Sequence, residues 1–303
     1  MTDSLSIAFI GLGVMGGPMT GHLARAGGQA THRVTAYNRS PERAAQWRGV
    51  WEAEGLDVAF ADTPDKAAKG ADIVFTCVGN DDDLHAVTLG PDGVVAAMRE
   101  GACLVDHTTV SADMARQLTS ACEARGIECV DAPVSGGQAG AENGQLAIMC
   151  GGTAQAVERA RPVMDAYAKA IVHVGDAGAG QTAKMANQMC IAGVLGGLSE
   201  AIRLAQAAGL DLDKTYEAIS GGAAQSWQMD NRWATMTTGE FDFGFAIDWM
   251  RKDLGYALAE ARALGLSAPI TALVDQFYAD VQAAGGARHD TSALITRLAK
   301  PDT

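Results

Sequence analysis

The sequence LSIAFIGLGVMG, at residues 5–16, decides the fold of the first half of the chain. Its apolar start, residues 5–10, has the length of a buried strand, and a GxGxxG motif follows it directly. A helical pattern to about Ala26 and a second strand over 33–37 complete a βαβ unit. Glycines at these positions permit a tight turn, close approach of a pyrophosphate and close packing of helix on strand. The pattern predicts a dinucleotide-binding loop, with a glycine-rich turn without ligand as the alternative; its residues are Gly11, Leu12, Gly13, Val14, Met15 and Gly16.

The end of the second strand indicates which dinucleotide binds. NAD sites usually carry an acidic residue here, whereas NADP sites replace it and add an arginine. This chain has Asn38-Arg39-Ser40, with Arg43 one helical turn further on. A carboxylate would repel the 2′-phosphate, whereas the Arg39 guanidinium would bind it through two hydrogen bonds. The three residues therefore favour NADP(H), with NAD possible; the alternative for Arg39 is an ordinary solvated surface charge.

Two further strands bring residues to the same edge of the predicted sheet. The strand over 71–78 leads into the turn Val78-Gly79-Asn80. The strand over 102–106 ends two residues before Thr108. In open parallel sheets, ligands lie outside the carboxyl ends of the strands. We therefore expect the turn at residues 78–80 to contact the ribose of the dinucleotide and Thr108 to contact its nicotinamide. Ordinary turn and capping chemistry is the alternative for Thr108. The acidic residues 81–83 are expected to cap the helix that follows.

A glycine-rich loop follows the next strand, which is predicted over 128–132. It contains Ser135-Gly136-Gly137, which exposes a hydroxyl group and several backbone N–H donors. Such donors suit a carboxylate, so the loop is a candidate site for an acidic substrate. A flexible hairpin-like loop is the alternative.

One long helix is predicted from 178 to 208, because no proline interrupts this stretch. At 1.5 Å per residue, roughly 28 helical residues span about 40 Å, which is enough to join two domains. Residues 189–198 are apolar on every side, and this predicts a helix that is buried all round. The domain boundaries expected from these patterns are 1–176 and 177–303.

Three polar residues stand out near the start of this helix. Lys184, Asn187 and Gln188 are spaced i, i+3 and i+4, so they share one face. A lysine and two amides in a buried helix are costly unless they have partners or a task. They are therefore the first candidates for catalytic residues.

Beyond residue 208 the patterns are helical only, at 212–220, 226–236, 246–264 and 270–284. The chain is thus predicted to be an α/β protein, in which an N-terminal Rossmann-type doubly wound sheet and a C-terminal all-α domain are joined by a long interdomain helix. Lys252 lies in the third of these predicted helices, and by itself it has the features of a surface lysine.

Composition excludes several classes of partner. The net charge of −13 argues against nucleic acid and anionic membrane surfaces, since both attract basic patches. The six cysteines and six histidines have no metal-binding spacing, so no metal is expected. Cysteines inside apolar runs and the lack of a signal peptide indicate a cytoplasmic protein. The longest apolar run is too short to span a bilayer.

Motifs along the whole chain resemble the β-hydroxyacid dehydrogenase family. They are GLGVMGGPM from residue 11, DAPVSGG from residue 131 with Gly140-Ala141 and Gly144, the segment 180–188, Lys252-Asp253-Leu254, and DTSAL from residue 290. The resemblance implies that Lys184 is the catalytic acid and base. It also implies that Ser135, Gly136 and Gly137 hold the substrate carboxylate. Lys252 is then expected beside the cofactor and substrate, and the protein is expected to be a homodimer or homotetramer.

One position departs from the family pattern. Most members have an asparagine four residues after the lysine, whereas this chain has Gln188 there and Asn187 one residue earlier. Tartronate semialdehyde reductases resemble this arrangement. Either amide is expected to hold the substrate oxygen and to orient the lysine.

The sequence therefore predicts an oxidoreductase that transfers a hydride between NADP(H) and a short 3-hydroxy acid or semialdehyde, such as 3-hydroxyisobutyrate. The alternatives are a tartronate or succinic semialdehyde reductase, an imine reductase, and a non-catalytic NADP-binding scaffold. The presence of Lys184 argues against the last two, because the related imine reductases usually replace this lysine and a non-catalytic relative has lost it.

Overall fold

The computed structural model describes residues 4–26 and 32–300 of the chain. It contains two units, divided after Lys184, and each is described by itself. The division falls inside one helix. The domain boundary expected from the sequence, between residues 176 and 177, lies shortly before it.

Strands and helices alternate along most of the described residues of unit 1. The strands are β1 Ser6–Ile10, β2 Arg33–Tyr37, β3 Val58–Phe60, β4 Ile73–Thr76, β5 Cys103–Asp106, β6 Glu128–Asp131, β7 Val134–Ser135, β8 Leu146–Gly152 and β9 Ala168–Gly175. The helices are α1 Gly16–Ala26, α2 Pro41–Ala53, α3 Pro64–Ala68, α4 Asp81–Thr88, α5 Val94–Ala97, α6 Ala112–Glu123, α7 Gly137–Glu142 and α8 Ala154–Met164.

All of these strands belong to one sheet. Six parallel strands lie in the order β3-β2-β1-β4-β5-β6, and β8 then pairs antiparallel with β6 and β7 and parallel with β9. Ile7 and Phe9 belong to one buried cluster, whereas Ala8 and Ile10 belong to another, so the sheet has a core on each face. Strands that are covered by helices on both faces are expected to be apolar throughout. The predicted doubly wound sheet is confirmed.

Three local features differ from the expectations. The segment after residue 133 is not a simple loop, because it forms β7 and the short helix α7. Residues 81–83 form the first turn of α4, and the capping residue is Asn80, whose side chain accepts the N–H of Asp83 at 2.9 Å. The strand expected over 71–78 is shorter, Ile73–Thr76.

Unit 2 is built from helices. After the end of α9 (Ala179–Ala207) they are α10 Leu212–Ser220, α11 Trp227–Thr238, α12 Ile247–Ala263 and α13 Pro269–Val281, followed by a π-helical turn at Gln282–Gly286 and a 3-10 helix at Thr291–Arg297. Trp233, Met250 and Tyr278 lie in its buried cluster. The predicted all-α region is confirmed.

The long helix α9 supplies the end of unit 1 and the start of unit 2. The prediction that residues 189–198 are buried all round is wrong, because Val194 and Gly197 are exposed. A Cβ atom added at Gly196 would touch Val274 at 3.5 Å, whereas one at Gly197 would meet nothing within 4 Å. An apolar sequence therefore does not require that every face of the helix be covered.

No helix in residues 4–26 and 32–300 is both long and apolar enough to cross a membrane. The six cysteines are free thiols; four are buried, Cys77 is half-buried and Cys190 is exposed.

Candidate active site

The loop after β1 contains two positions, Gly11 and Gly16, where a side chain would clash with the backbone. Gly11 has a φ of +101°, and a Cβ atom there would lie 2.3 Å from the carbonyl oxygen of Cys77. A Cβ atom at Gly16 would lie 1.9 Å from the carbonyl oxygen of Gly11, so this glycine lets α1 begin against the loop. Nothing lies within 4 Å of a Cβ atom added at Gly13. The loop therefore leaves room at Gly13 for a pyrophosphate, beside the positive end of α1.

The other loop residues differ in exposure, and one is held by the next strand. Leu12 is buried, Met15 is half-buried and Val14 is exposed. The Leu12 N–H donates to Oδ1 of Asn38 at 2.8 Å. Asn38, at the end of β2, thus supports the loop through its side chain.

Arg39 and Ser40 have different surroundings. The exposed Arg39 guanidinium pairs with the carboxylate of Asp83 at 2.6 Å. Ion pairs with an exposed partner of this kind add little stability. Ser40 is the N-cap of α2, because its hydroxyl accepts the N–H of Arg43 at 3.3 Å.

The ends of β4 and β5 are joined by a side chain. The Val78 N–H donates to Oγ1 of Thr108 at 3.1 Å, and the Thr108 N–H donates to Asp106 at 3.0 Å. Thr108 is therefore buried and engaged, whereas Val78, Gly79 and Asn80 are half-buried. These residues lie at the carboxyl edge of β4 and β5, beside the loop that follows β1.

Gln181, which the sequence analysis did not select, ties this edge of the sheet to α9. Its fully buried side chain accepts the N–H of Val110 at 3.1 Å and donates to the carbonyl oxygen of Thr108 at 2.8 Å. Its backbone N–H donates to Asp131 at 3.0 Å, and the Gly178 N–H donates to the same carboxylate at 2.8 Å. One sequence signal was present, since Gln181 lies three residues before the lysine and thus on the same helical face.

Lys184 reaches the serine–glycine turn. Its Nζ donates to the carbonyl oxygen of Val134 at 2.8 Å, and the residue is only 8% exposed. Ser135, the next residue, is half-buried, and the two glycines after it are exposed. Gly136 and Gly137 have φ values of +134° and +61°, which glycine adopts without strain. Unit 1 therefore brings the catalytic candidate to the candidate carboxylate cradle.

In unit 2 the predicted residues meet at Asp253 of α12. Gln188 Nε2 donates to Asp253 Oδ2 at 2.7 Å, and Lys252 Nζ lies 3.2 Å from Oδ1 of the same carboxylate. Asn187 Nδ2 donates to Gln188 Oε1 at 2.8 Å. The Lys252 ammonium also lies 5.2 Å from the ring centre of Tyr256, a favourable cation–π distance. Asp253 was missed as a site residue, although its place beside Lys252 in the KDL motif was a signal.

Three buried groups at the carboxyl edge of the sheet have shifted pKa values. Burial raises the pKa of Asp106 to about 7 and that of Asp131 to about 6. Burial lowers the pKa of His107 to about 4, so this imidazole is neutral at neutral pH. His107 contacts the carbonyl oxygen of Ala132 and the hydroxyl of Tyr167. Within the described residues, no three His, Cys, Asp or Glu side chains are grouped so as to hold a metal ion.

The parallel strands, the glycine loop and the buried lysine are together typical of NAD(P)-dependent dehydrogenases. Residues 6–175 match the family described as the NAD binding domain of 6-phosphogluconate dehydrogenase. Residues 178–298 match the family described as NAD-binding of NADP-dependent 3-hydroxyisobutyrate dehydrogenase. The chain therefore belongs to the β-hydroxyacid dehydrogenase family.

Individual relatives agree over nearly the whole length. An uncharacterized oxidoreductase of Shewanella frigidimarina is 57% identical, with 97% of this chain and 98% of that protein covered. The 3-hydroxyisobutyrate dehydrogenase of Pseudomonas aeruginosa is 35% identical, with 96% and 95% covered. A structure of the Mycobacterium tuberculosis 3-hydroxyisobutyrate dehydrogenase with L-serine has a TM-score of 0.86 at 33% identity, with 97% of this chain and 98% of that chain covered.

The raised pKa of Asp106 should make stability depend on pH. Between about pH 4 and 7 the folded protein keeps a proton that the unfolded chain releases, so the free energy of unfolding should fall as the pH rises through this window. Asp106→Asn should flatten that fall, because an amide does not titrate in this range. The amide oxygen can still accept from Thr76 and Thr108, so these hydrogen bonds are kept. Urea unfolding of both proteins from pH 4 to 8 measures the difference. Parallel curves would contradict the prediction.

Proposed function

We propose that this protein interconverts a short 3-hydroxy acid and its semialdehyde with NADP(H), and that 3-hydroxyisobutyrate is the leading candidate substrate. The observation that carries the proposal is the 2.8 Å hydrogen bond from the Lys184 ammonium to the Val134 carbonyl. It brings a proton donor to the residue that precedes the Ser135-Gly136-Gly137 turn. A 3-hydroxy acid carries its hydroxyl group two carbon–carbon bonds from the carboxylate, so one short molecule suits both groups.

The proposed chemistry assigns one task to each group. The bound dinucleotide supplies or accepts the hydride. Lys184 removes the hydroxyl proton during oxidation and returns it during reduction. The Ser135 hydroxyl and the N–H groups of the following glycines hold the substrate carboxylate. We assign the substrate oxygen to the amide of Asn187 or Gln188, and we place Lys252 beside the cofactor and substrate.

The proposed cofactor contacts follow the strand ends. The pyrophosphate is assigned to the loop of residues 11–16, and the open space at Gly13 supports this. The ribose is assigned to Val78-Gly79-Asn80 and the nicotinamide to the neighbourhood of Thr108. Arg39 is proposed to bind the 2′-phosphate, together with Asn38 and Ser40, while use of NAD is the weaker alternative.

A relative's bound molecule supports the choice of substrate class. The Mycobacterium tuberculosis enzyme was solved with L-serine, which is itself a 3-hydroxy acid. A tartronate or succinic semialdehyde reductase is the second candidate, because the Asn187-Gln188 order resembles tartronate semialdehyde reductases. Lys184 disfavours imine reduction and a non-catalytic scaffold.

Two further expectations are part of the proposal. Four buried free cysteines suit a reducing compartment such as the cytoplasm. Exposed apolar side chains on α9 and α13, among them Leu204, Ile270 and Leu273, suit a homodimer or homotetramer.

Substrates without a free carboxylate should react poorly. We expect kcat/KM for 3-hydroxyisobutyrate to exceed that for its methyl ester by roughly 10²-fold or more, because the ester leaves the donors of the cradle without their anion. The absorbance of reduced nicotinamide measures this, in a panel that includes tartronate and succinic semialdehydes with both cofactors. Equal rates for acid and ester would exclude the proposed carboxylate cradle, and a preference for tartronate semialdehyde would favour the second candidate.

Cofactor preference should depend on Arg39. Wild-type kcat/KM should be higher with NADP(H) than with NAD(H), and Arg39→Ala should remove most of the difference, because a hydrogen bond to a charged group contributes about 1.5–3 kcal/mol. Arg48→Ala removes the same charge from a side chain that lies over the Phe60 ring, so it is the matched control. A wild-type enzyme that uses both cofactors equally well would refute the assignment.

The mechanism depends on Lys184. Lys184→Ala should lower kcat by roughly 10²-fold or more, while the Kd for NADPH stays nearly unchanged. Lys184→Arg should fail almost as badly, since a guanidinium does not release its proton at working pH. Lys66→Ala, which removes an exposed lysine of α3, is the control. If folded Lys184→Ala kept a wild-type kcat, Lys252 would become the next residue to test.

A further inference from the structure

The indole of Trp47 in α2 lies against the glycine loop. Its Nε1–H donates to the carbonyl oxygen of Leu12 at 2.9 Å. The N–H of the same Leu12 donates to Asn38. Both backbone polar groups of the residue between Gly11 and Gly13 are thus held by side chains from outside the loop.

The position of the indole is itself fixed by packing. A Cβ atom added at Gly17 would lie 1.9 Å from the Trp47 ring, so the ring occupies the space that a side chain at this point of α1 would need. The ring also stacks on Trp51, with 5.7 Å between centroids and 26° between planes. Trp51 is 2% exposed and packs in turn on Phe60 at 5.6 Å. The donor is therefore part of a rigid aromatic stack.

The hydrogen bond to Leu12 determines where the next donor points. A peptide unit is planar, and no cis peptide occurs in the described residues, so the Leu12 C=O and the Gly13 N–H point in opposite directions. A carbonyl held by the indole turns the Gly13 N–H away from Trp47. Gly13 is exposed, and a Cβ atom there would meet nothing within 4 Å. The N–H is thus directed away from the aromatic stack, at the point where the loop is open.

We propose that Trp47 is a positioning residue for dinucleotide binding, which aims the Gly13 N–H at the pyrophosphate by holding the Leu12 carbonyl. This inference rests on the proposed use of the loop by NADP(H). Glycine-flanked loops lose much conformational freedom when they are ordered, and a loop that is ordered before binding avoids that cost. An unrestrained Leu12 peptide could also turn its carbonyl toward the phosphates and repel them.

The test compares two tryptophan-to-phenylalanine variants. Trp47→Phe keeps an aromatic ring at this position but removes the N–H donor. Trp51→Phe makes the same change one helical turn later, at an indole that makes no hydrogen bond to the loop. We measure the Kd for NADPH by titration calorimetry, the KM for each substrate, kcat at saturating NADPH, and urea unfolding.

Trp47→Phe should weaken NADPH binding about 2- to 12-fold, the range that corresponds to loss of one neutral hydrogen bond. The kcat at saturating cofactor and the KM for the hydroxy acid should stay within about twofold of wild type. Trp51→Phe should leave the Kd within about twofold of wild type, even if it lowers stability. A second route is Gly17→Ala, which should displace the indole without deleting it and weaken NADPH binding in the same way.

Three results would overturn the inference. Wild-type Kd in both Trp47→Phe and Gly17→Ala would show that the indole does not act on the loop. Equal weakening in Trp47→Phe and Trp51→Phe would assign the effect to packing and not to the N–H. If wild-type protein bound neither NADPH nor NADH, the proposed function would fail first and the inference with it. Failure of the proposed function is thus seen in the wild-type protein, which would not bind cofactor. Failure of the inference alone is seen when wild type and variants bind NADPH equally tightly.

Discussion

The side-chain amide of Gln181 holds the start of α9 against the carboxyl edge of the sheet in unit 1. It pairs with the N–H of Val110 and the carbonyl of Thr108, two residues apart, as a neighbouring strand would. With the backbone bond to Asp131, three buried hydrogen bonds hold the first turn of α9. A buried polar group left unpaired costs about 1–3 kcal/mol, so this turn cannot rotate cheaply. Lys184 follows three residues later on the same helix, where its Nζ donates to the carbonyl oxygen of Val134.

At the Asp131 carboxylate, beside the start of α9, burial and hydrogen bonding shift the pKa in opposite directions. The N–H groups of Gly178 and Gln181 point at it, and such donors at a helix N-terminus favour a negative charge. Burial still raises its pKa to about 6, so removal from water outweighs two good donors. Contact with the strand is close, because a Cβ atom added at Gly180 would lie 2.5 Å from the carbonyl oxygens of Asp131 and Met149. Glycine at this position is thus needed for the approach that buries the carboxylate.

Local patterns predicted most of the fold, and they failed where the cause was not local. The strand over 33–37 and the helix over 212–220 were predicted to the residue, because each ends at a clear change of pattern. Helix α2, Pro41–Ala53, was not predicted, and its single buried residue is Trp51. An almost wholly exposed helix leaves no apolar stripe in the sequence.

The sequence predicted the candidate site residues that belong to motifs. It did not predict which residues they contact. Gln181 contacts residues 71 and 73 positions away in the chain, and no single-sequence pattern reports such a pairing. The same limit explains the wrong expectation for residues 189–198. Apolar composition predicts that a helix can be buried, whereas exposure at Val194 depends on which elements actually cover it.

Gln188 connects the departure from the family pattern to a physical cause. Its side chain is one methylene longer than the asparagine that most family members have at this position. Its Nε2 donates to Asp253 Oδ2 at 2.7 Å. The same carboxylate holds the Lys252 ammonium at 3.2 Å. Because Asp253 is only 2% exposed, these two donors face little competition from water. The amide of Gln188 also accepts from Asn187, so the glutamine is committed at both ends. These contacts hold the Gln188 amide at both its oxygen and its nitrogen, and they link Asn187, through Gln188, to the carboxylate that also meets Lys252.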